Sequence, residues 1–285
     1  MIAQEFEYLA PASLEEALEL LADDRVKPLA GGMSLVPMMK LRLVGPEVLL
    51  DLHHVAELRR MHVSDGSLHI GAMVTHYELE STPMVRTACP LLAAAAAHIG
   101  DVQVRNRGTI GGSIAHCDPA ADYPAALLAM DTQVKLASRS GNRTVPASGF
   151  FLDPFTTGLQ PGELITEIQI PVEAEGTGFA YEKQVQPASG FAIVAAAVRI
   201  RRSEGRIATV RVGITGVSGT AYRATGVEVL LQGTQGSRDE ILAAARAAVD
   251  GMEVSGDIHA SAEYRGHLAR VITARALTIA ITRAA

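Results

Sequence analysis

Two short glycine-rich segments, each closed by a serine, constrain this chain more than any other feature of its sequence. The first is AGGMS at residues 30–34, directly after a predicted strand, and the second is TIGGS at residues 109–113. Consecutive glycines permit positive φ and let a ligand approach the backbone closely. Their amide protons can then converge as an anion-binding nest. Two such nests would suit the two phosphates of a pyrophosphate; the alternative is that each Gly-Gly is only a tight turn.

Other nucleotide and hydrolase signatures are missing. The chain has no GxGxxG, no GxxxxGK[ST] and no GxSxG, and GTG at residues 176–178 and GVSG at residues 216–219 are the nearest approaches. A P-loop NTPase and a serine hydrolase of the nucleophile-elbow type are therefore disfavoured.

Composition narrows the class of protein further. The formal net charge of −6 argues against a nucleic-acid partner. The N-terminus lacks the pattern of a signal peptide, and no apolar run is long enough to predict a membrane span. Two cysteines, Cys89 and Cys117, cannot build a disulfide scaffold or supply four thiolates to an iron–sulfur cluster. We therefore expect a cytoplasmic protein.

Hydrophobic patterning predicts a mixed α+β chain with a separate C-terminal region. Capping boxes begin helices at Ser13 and Thr75, and predicted strands cover residues 26–30, 47–51, 67–72, 134–137 and 164–170. The Pro/Gly-rich residues 171–178 predict a linker. Beyond it, three strands (181–185, 193–201 and 207–213) precede two helices (238–249 and 262–281). This order predicts an antiparallel sheet covered on one side.

The segment HCDPAAD at residues 116–122 allows three interpretations. Its His, Cys and Asp side chains could ligate a metal, although Pro119 interrupts the helix face that would align them. Asp118 could instead cap a helix that Asp122 begins. In the third, Asp122 accepts hydrogen bonds from ribose or ribityl hydroxyls beside the nests, and this fits the glycine segments better.

Two long motifs resemble a known family. AGGMSLVPMMKLRL (30–43) and RNRGTIGGSIAHCDPAADYPA (105–125) resemble the FAD-binding signatures of the medium subunit of carbon monoxide dehydrogenase and related molybdenum hydroxylases of the xanthine dehydrogenase family. The resemblance continues through PGELITEIQIP (161–171) and EYRGHLARVITARAL (263–277). It implies a two-lobed, vanillyl-alcohol-oxidase-type FAD-binding domain, with lobes at 1–57 and 58–174, and a C-terminal α+β domain at 175–285.

The same resemblance implies a cofactor site but no metal ligand and no catalytic residue of the chain's own. FAD would lie extended between the lobes, with its pyrophosphate on the glycine segments, the adenine near two isoleucines, and a lysine and a phenylalanine beside the flavin. The implied residues are Leu29, Ala30, Gly31, Gly32, Met33, Ser34, Leu35, Ile99, Thr109, Ile110, Gly111, Gly112, Ser113, Asp122, Ile165, Lys183 and Phe191.

The chain departs from the family's pattern at three places near this site. Met33 stands where some members have histidine, and Phe191 falls where the carbon monoxide enzyme has a tyrosine. Residues 186–190 (QPASG) replace the usual basic segment and Asp. Because neither glycine segment contains a histidine or cysteine, we expect FAD to be bound noncovalently.

The family also implies partners and an activity. A small subunit would carry two [2Fe–2S] clusters and a large one molybdopterin, in a dimer of heterotrimers. This chain would pass electrons from those clusters through FAD to an external acceptor. Two alternatives are a stand-alone flavin oxidase or dehydrogenase of the same fold, and a non-catalytic nucleotide-binding module.

Overall fold

The computed structural model describes residues 2–284, and the first lobe is built on a small parallel sheet. Its elements are β1 (Glu7–Leu9), α1 (Leu14–Leu20), β2 (Val26–Leu29), α2 (Leu35–Lys40) and β3 (Val48–Asp51). Both outer strands pair in parallel with the central β3. The Ser13 hydroxyl accepts the Glu16 amide, but the Glu16 carboxylate accepts from Ala12 rather than from Ser13, so only half of the predicted capping box forms.

The second lobe contains a five-stranded antiparallel sheet with helices inserted between its strands. Its elements are β4 (Met61–Ser64), β5 (Ser67–Gly71), α3 (His76–Ser81), α4 (Pro83–Ala88), α5 (Pro90–Ala97), α6 (Val102–Arg107), α7 (Ile110–His116), α8 (Asp122–Ala129), β6 (Gln133–Ser138), β7 (Gly141–Pro146), β8 (Phe151–Asp153), β9 (Thr156–Thr157) and β10 (Leu164–Pro171). The strand order is β4-β5-β10-β6-β7, while β8 and β9 form a separate hairpin. The predicted capping box at Thr75 and Glu78 is confirmed, with both reciprocal bonds present.

The C-terminal region is a four-stranded antiparallel sheet followed by helices. Its elements are β11 (Thr177–Val185), β12 (Ala192–Ser203), β13 (Arg206–Thr215), β14 (Tyr222–Arg223), α9 (Thr225–Leu231), α10 (Arg238–Ala245) and α11 (Ala262–Arg283). The predicted linker is short, since only residues 172–176 separate β10 from β11. The domain boundaries at 57/58 and 174/175 stay a prediction.

The C-terminal sheet is covered on both faces, so the predicted one-sided cover is wrong. Side chains of a strand alternate between faces. Ala195 and Ala197 of β12 belong to the core shared with the second lobe, whereas Ala196 and Val198 belong to the core under α9, α10 and α11. The close approach needs small residues: a Cβ on Gly213 would lie 2.0 Å from the Ala125 carbonyl oxygen of α8. The second lobe therefore supplies the missing cover.

Residues 2–284 can be searched directly for membrane-spanning helices and for metal sites. None of the described helices is long and apolar enough to cross a membrane. This part of the chain also contains no group of three His, Cys, Asp or Glu side chains placed to hold a metal ion. In the 116–122 segment, Asp118 instead accepts the Ala120 amide and Cys117 donates to the Asp153 carbonyl.

Candidate functional site

The first glycine segment presents a row of free backbone donors. It joins β2, which ends at Leu29, to α2, which begins at Leu35, and Gly32 adopts a φ of +75°. Across residues 2–284, the amides of residues 31–35 find no acceptor in the protein, and the Ser34 side chain makes no capping bond. Consecutive unpaired amides on a left-handed bend form a concave anion-binding surface. The free amides and the bend at Gly32 agree with the predicted amide nest, and its binding of an anion stays a prediction.

The second glycine segment has a different structure from the one predicted. It forms the first turn of α7 rather than a tight turn, and neither of its glycines has positive φ. The amides of residues 110–113 are all used within the protein; their acceptors are the Val74 carbonyl, the Ala72 carbonyl, the Thr109 hydroxyl and the Thr109 carbonyl. The prediction of a second amide nest is wrong, because these amides donate to the Thr109 helix cap and to carbonyls just after β5. The Ser113 hydroxyl has no partner among residues 2–284.

The glycines of the two segments serve close packing between the lobes. A Cβ on Gly31 would lie 2.1 Å from the Arg107 carbonyl oxygen, and one on Gly112 would lie 3.3 Å from the Ala30 Cβ. Within the second lobe, a Cβ on Gly111 would meet the Ala72 Cβ at 2.5 Å. Small residues therefore bring the free amides of the first lobe beside the α7 helix start of the second. The two motifs lie side by side, although only one contributes a row of free amides, and a cofactor site between them stays a prediction.

Asp122 lies in a buried polar cluster at the start of α8. Its side chain is 5% exposed and forms an ion pair with Lys183 Nζ at 2.8 Å, while the Tyr181 hydroxyl donates to Oδ1 at 2.5 Å. Lys183 also donates to the His98 carbonyl at 3.0 Å. The cluster thus joins α8, the end of α5 and strand β11. It brings two of the predicted site residues, Asp122 and Lys183, into direct contact.

The ionisation of this cluster is shaped by burial and by the ion pair. Burial raises the pKa of the Asp122 carboxyl, while the Lys183 ammonium and the Tyr181 hydroxyl act in the opposite direction. Burial and the neighbouring carboxylate raise the pKa of Tyr181, which keeps its phenol protonated as a donor. Tyr181 was missed by sequence reasoning. Tyr181 could have been found from its position two residues before Lys183, because residues two apart on a strand point to the same face.

The remaining predicted residues occupy different surroundings. Ile99 is half-buried, and its carbonyl accepts from Arg105 Nη1 at 3.1 Å. Phe191 is 43% exposed and follows Gly190, where a Cβ would lie 3.2 Å from the Cα of Gly100. The backbone next to Ile99 and the backbone next to Phe191 therefore adjoin. Ile165, in contrast, is buried in β10 within the core of the second lobe.

His76 is a supporting residue that the sequence did not identify. Its backbone amide donates to the Gly108 carbonyl, and its ring Nδ1 lies 3.0 Å from the Tyr123 hydroxyl. Burial, with a smaller contribution from Arg105, lowers the pKa of His76 to about 3, so the ring is neutral at physiological pH. A Cβ on Gly108 would approach the ring to 2.5 Å. His76 therefore fixes the backbone that leads into α7.

The fold and site together define an FAD-binding flavoprotein with an appended C-terminal domain. Residues 4–173 match the model of the FAD binding domain in molybdopterin dehydrogenase, and residues 179–280 match the CO dehydrogenase flavoprotein C-terminal domain. The chain belongs to the family of FAD-binding medium subunits of molybdenum hydroxylases, and it is an oxidoreductase subunit. The predicted family and fold class are confirmed.

Individual relatives resemble the chain over its whole length. The carbon monoxide dehydrogenase medium chain of Hydrogenophaga pseudoflava is 42% identical, with both chains fully covered. The 6-hydroxypseudooxynicotine dehydrogenase complex subunit alpha of Paenarthrobacter nicotinovorans is 38% identical over 98% of this chain and 95% of its own length. Among solved structures, carbon monoxide dehydrogenase from H. pseudoflava lacking the Mo-pyranopterin moiety of its molybdenum cofactor superposes with a TM-score of 0.97 at 43% identity, covering both chains entirely.

Proposed function

We propose that this chain is the FAD-containing electron-transfer subunit of a molybdenum hydroxylase. It takes electrons from [2Fe–2S] clusters on a small subunit and passes them to an external acceptor, while a large subunit carries molybdopterin. The observation that carries the proposal is the row of five unpartnered amides at residues 31–35, bordered by the start of α7. Such donors suit a diphosphate, whose charge makes each hydrogen bond stronger than a neutral one.

The residues around this row fit the other parts of FAD. The amides of residues 31–35 would hold the pyrophosphate, with hydroxyls from Ser34, Thr109 and Ser113 beside them. Asp122 retains acceptor capacity for a ribose or ribityl hydroxyl, since a carboxylate offers about four lone-pair sites and Lys183 and Tyr181 occupy only some. When bound, FAD supplies the one- and two-electron chemistry, as cofactors do in such enzymes.

The second part of the site would hold the two ring systems. Ile99 and Ile165 would contact the adenine, and Lys183 would lie beside the flavin. Phe191 offers an exposed aromatic face for stacking on the isoalloxazine, without the hydroxyl that a tyrosine would add. These placements follow from the family resemblance.

We expect the FAD to be held noncovalently. Neither residues 30–35 nor residues 109–113 include a cysteine or histidine that could form a covalent link to the flavin. Acid precipitation of the purified chain should therefore leave a colourless pellet and a yellow supernatant. Yellow colour retained in the washed pellet would contradict noncovalent binding.

The assembly can be tested by co-expression with the two genes that encode the proposed partners. We expect one complex that contains equal amounts of three subunits, organised as a dimer of heterotrimers, with molybdopterin and iron–sulfur absorbance lost when the partners are omitted. Substrate turnover by the FAD-loaded chain alone would favour a stand-alone oxidase or dehydrogenase instead. A chain that takes up no FAD would favour a non-catalytic module. The relatives' names differ in substrate, which accords with substrate recognition on another subunit.

A cytoplasmic location is part of the same proposal. Both cysteines are free and buried, and burial raises the pKa of Cys89 to about 12 and that of Cys117 to about 11. Thiols in this state suit a reducing compartment. Fractionation of the native host should recover the complex with the cytoplasmic markers, and recovery with periplasmic markers would contradict this part of the proposal.

A further inference from the structure

A groove on the outer layer of the C-terminal domain is separate from the amide row. It has a volume of about 610 Å³ and lies between α10 and α11, reaching Glu182 of the edge strand β11. Glu182 points to the face opposite Lys183, its neighbour in the Asp122 cluster, because adjacent strand residues alternate. The sheet therefore stands between this groove and the buried cluster of the cofactor site.

The apolar part of the groove lining comes from two helices, α10 and α11, and the apolar residues on α11 are Val271, Ala274 and Ile279. On α10, Ile241 and Leu242 line it, and Leu242 is 47% exposed. On α11, the lining side chains recur at the spacing of one helix face from His267 to Ile279, a distance of about 18 Å along the axis. The opposite face of α11, including Ile272, packs onto the sheet. Ala274 and Ile279 are only partly buried against the core of this domain, so part of their apolar surface lies in the groove.

The rim of the groove is cationic in a chain that is acidic overall. Arg238, Arg246, Arg270 and Arg275 line it together with a single carboxylate, Glu182, although the whole chain carries a net charge of −6. None of these four arginines lies within 4.0 Å of a carboxylate in residues 2–284, whereas other arginines of this domain form ion pairs. Arg270 Nε donates to the Arg246 carbonyl, and the remaining guanidinium donors are available to carboxylates from outside the chain.

We propose that this groove binds an acidic amphipathic helix of a partner subunit. Apolar residues at helical spacing would fill the floor between α10 and α11, and flanking Asp and Glu side chains would pair with the arginine rim. This is the usual mode of helix-in-groove recognition, combined with charge complementarity across the rim. A concave floor of this kind suits an inserted helix better than a flat membrane surface. The proposal rests on the proposed multi-subunit function, because that function supplies the partner.

The first test measures whether the groove is covered in the assembled complex. Leu242→Cys places a thiol on the groove floor, and Val229→Cys places one on α9 at a position 75% exposed, as the matched control. The natural cysteines, Cys89 and Cys117, are buried and should add little background. We expect maleimide labelling of Leu242→Cys to slow at least tenfold in the complex relative to the isolated chain, with Val229→Cys unchanged. Equal labelling rates at Leu242→Cys in both states would overturn the proposal, as would equal slowing at both positions.

The second test addresses the charge of the occupant. The double variant Arg246→Glu/Arg270→Glu, combined with Leu242→Cys, should restore fast labelling in the complex. Arg201→Glu, which changes an exposed arginine of β12 outside the groove, should leave the protection intact. Protection that survives the double charge reversal would overturn an acidic occupant.

Two further outcomes would assign the groove to something else and reject the proposal. If vesicles of phosphatidylserine and phosphatidylcholine protect Leu242→Cys in the isolated chain, the groove binds membrane. If light scattering shows the isolated chain to be a dimer that Arg246→Glu/Arg270→Glu dissociates, a second copy fills it. Failure of any complex to assemble would instead contradict the proposed function, so the two failures are distinguishable.

Discussion

The substitution Gly31→Ala tests whether close packing between the lobes sets the geometry of the cofactor site. Gly31 is the first residue of the amide row, and its α-carbon faces the backbone of Arg107 and Gly108 just before α7. An added Cβ would lie 2.1 Å from the Arg107 carbonyl oxygen and 2.7 Å from the Gly108 Cα. Because these atoms are backbone, no side-chain rotation can relieve the contact.

The size of the effect follows from this geometry. Real Cβ atoms do not approach other heavy atoms closer than 3.0 Å, so the two segments must separate by about 1 Å, and overpacking of this kind costs about 1–3 kcal/mol of folding free energy. The displacement also misaligns the amides with a diphosphate. Losing one charge-assisted hydrogen bond, worth about 1.5–3 kcal/mol, would weaken FAD binding by about 10- to 150-fold.

The assay is FAD titration of the apoprotein, followed by quenching of flavin fluorescence, with urea unfolding of the same samples. Gly266→Ala is the matched control, because Gly266 lies within α11 with no atom near its added Cβ, and alanine there should raise stability by about 0.5–1 kcal/mol. We expect Gly31→Ala to lose FAD affinity and Gly266→Ala to keep it. A Gly31→Ala protein with the affinity and stability of the wild type would refute the packing argument.

Three further predictions concern the buried supports of the site. Gly111→Val should lower FAD occupancy by driving α7 away from Ala72, and unchanged occupancy in absorbance spectra would count against it. Lys183→Met leaves Asp122 buried without its cation and should destabilise the fold by about 3–5 kcal/mol at pH 8. The loss should shrink toward pH 5. In the variant, the pKa of folded Asp122 lies above its unfolded value, so the carboxyl becomes neutral as the pH falls and the penalty of a buried charge is relieved. Equal losses in urea unfolding at both pH values would contradict this. His76, whose pKa of about 3 lies below the ordinary 6.5, contributes stability that is present above pH 6.5 and declines by up to about 1.4 kcal/mol per pH unit as pH falls toward 3. His76→Gln should remove that slope from thermal melts compared between pH 7 and pH 5, and an unaltered slope would show that other groups cause it.

The amide row illustrates how far local sequence reasoning reached. Two glycines directly after a predicted strand favour a left-handed bend, because glycine adopts positive φ without strain. The structure confirms that bend at Gly32. The Thr75 capping box and the three long strands of the C-terminal domain were predictable for the same reason, since each depends on residues a few positions apart.

The second glycine segment shows where such reasoning stopped. The same dipeptide lies in a helix at residues 111–112, because Thr109 caps α7 and the distant Ala72 carbonyl takes an amide that would otherwise be free. Similarly, the unbroken apolar run of β12 is typical of a strand buried on both faces, but it does not reveal that α5 and α8 cover the second face. Both outcomes depend on which segments meet across the lobes.

The sequence alone determined the family, the α+β class and the left-handed bend at Gly32, because motifs and periodicity are properties of neighbouring residues. Only the tertiary structure decided which amides stay free, that Tyr181 and Lys183 share Asp122, and that four arginines without a carboxylate partner in residues 2–284 line one groove. The physical reason is that hydrogen-bond donors, charges and closely packed atoms find partners far apart in the chain. Those partners meet only once the chain has folded.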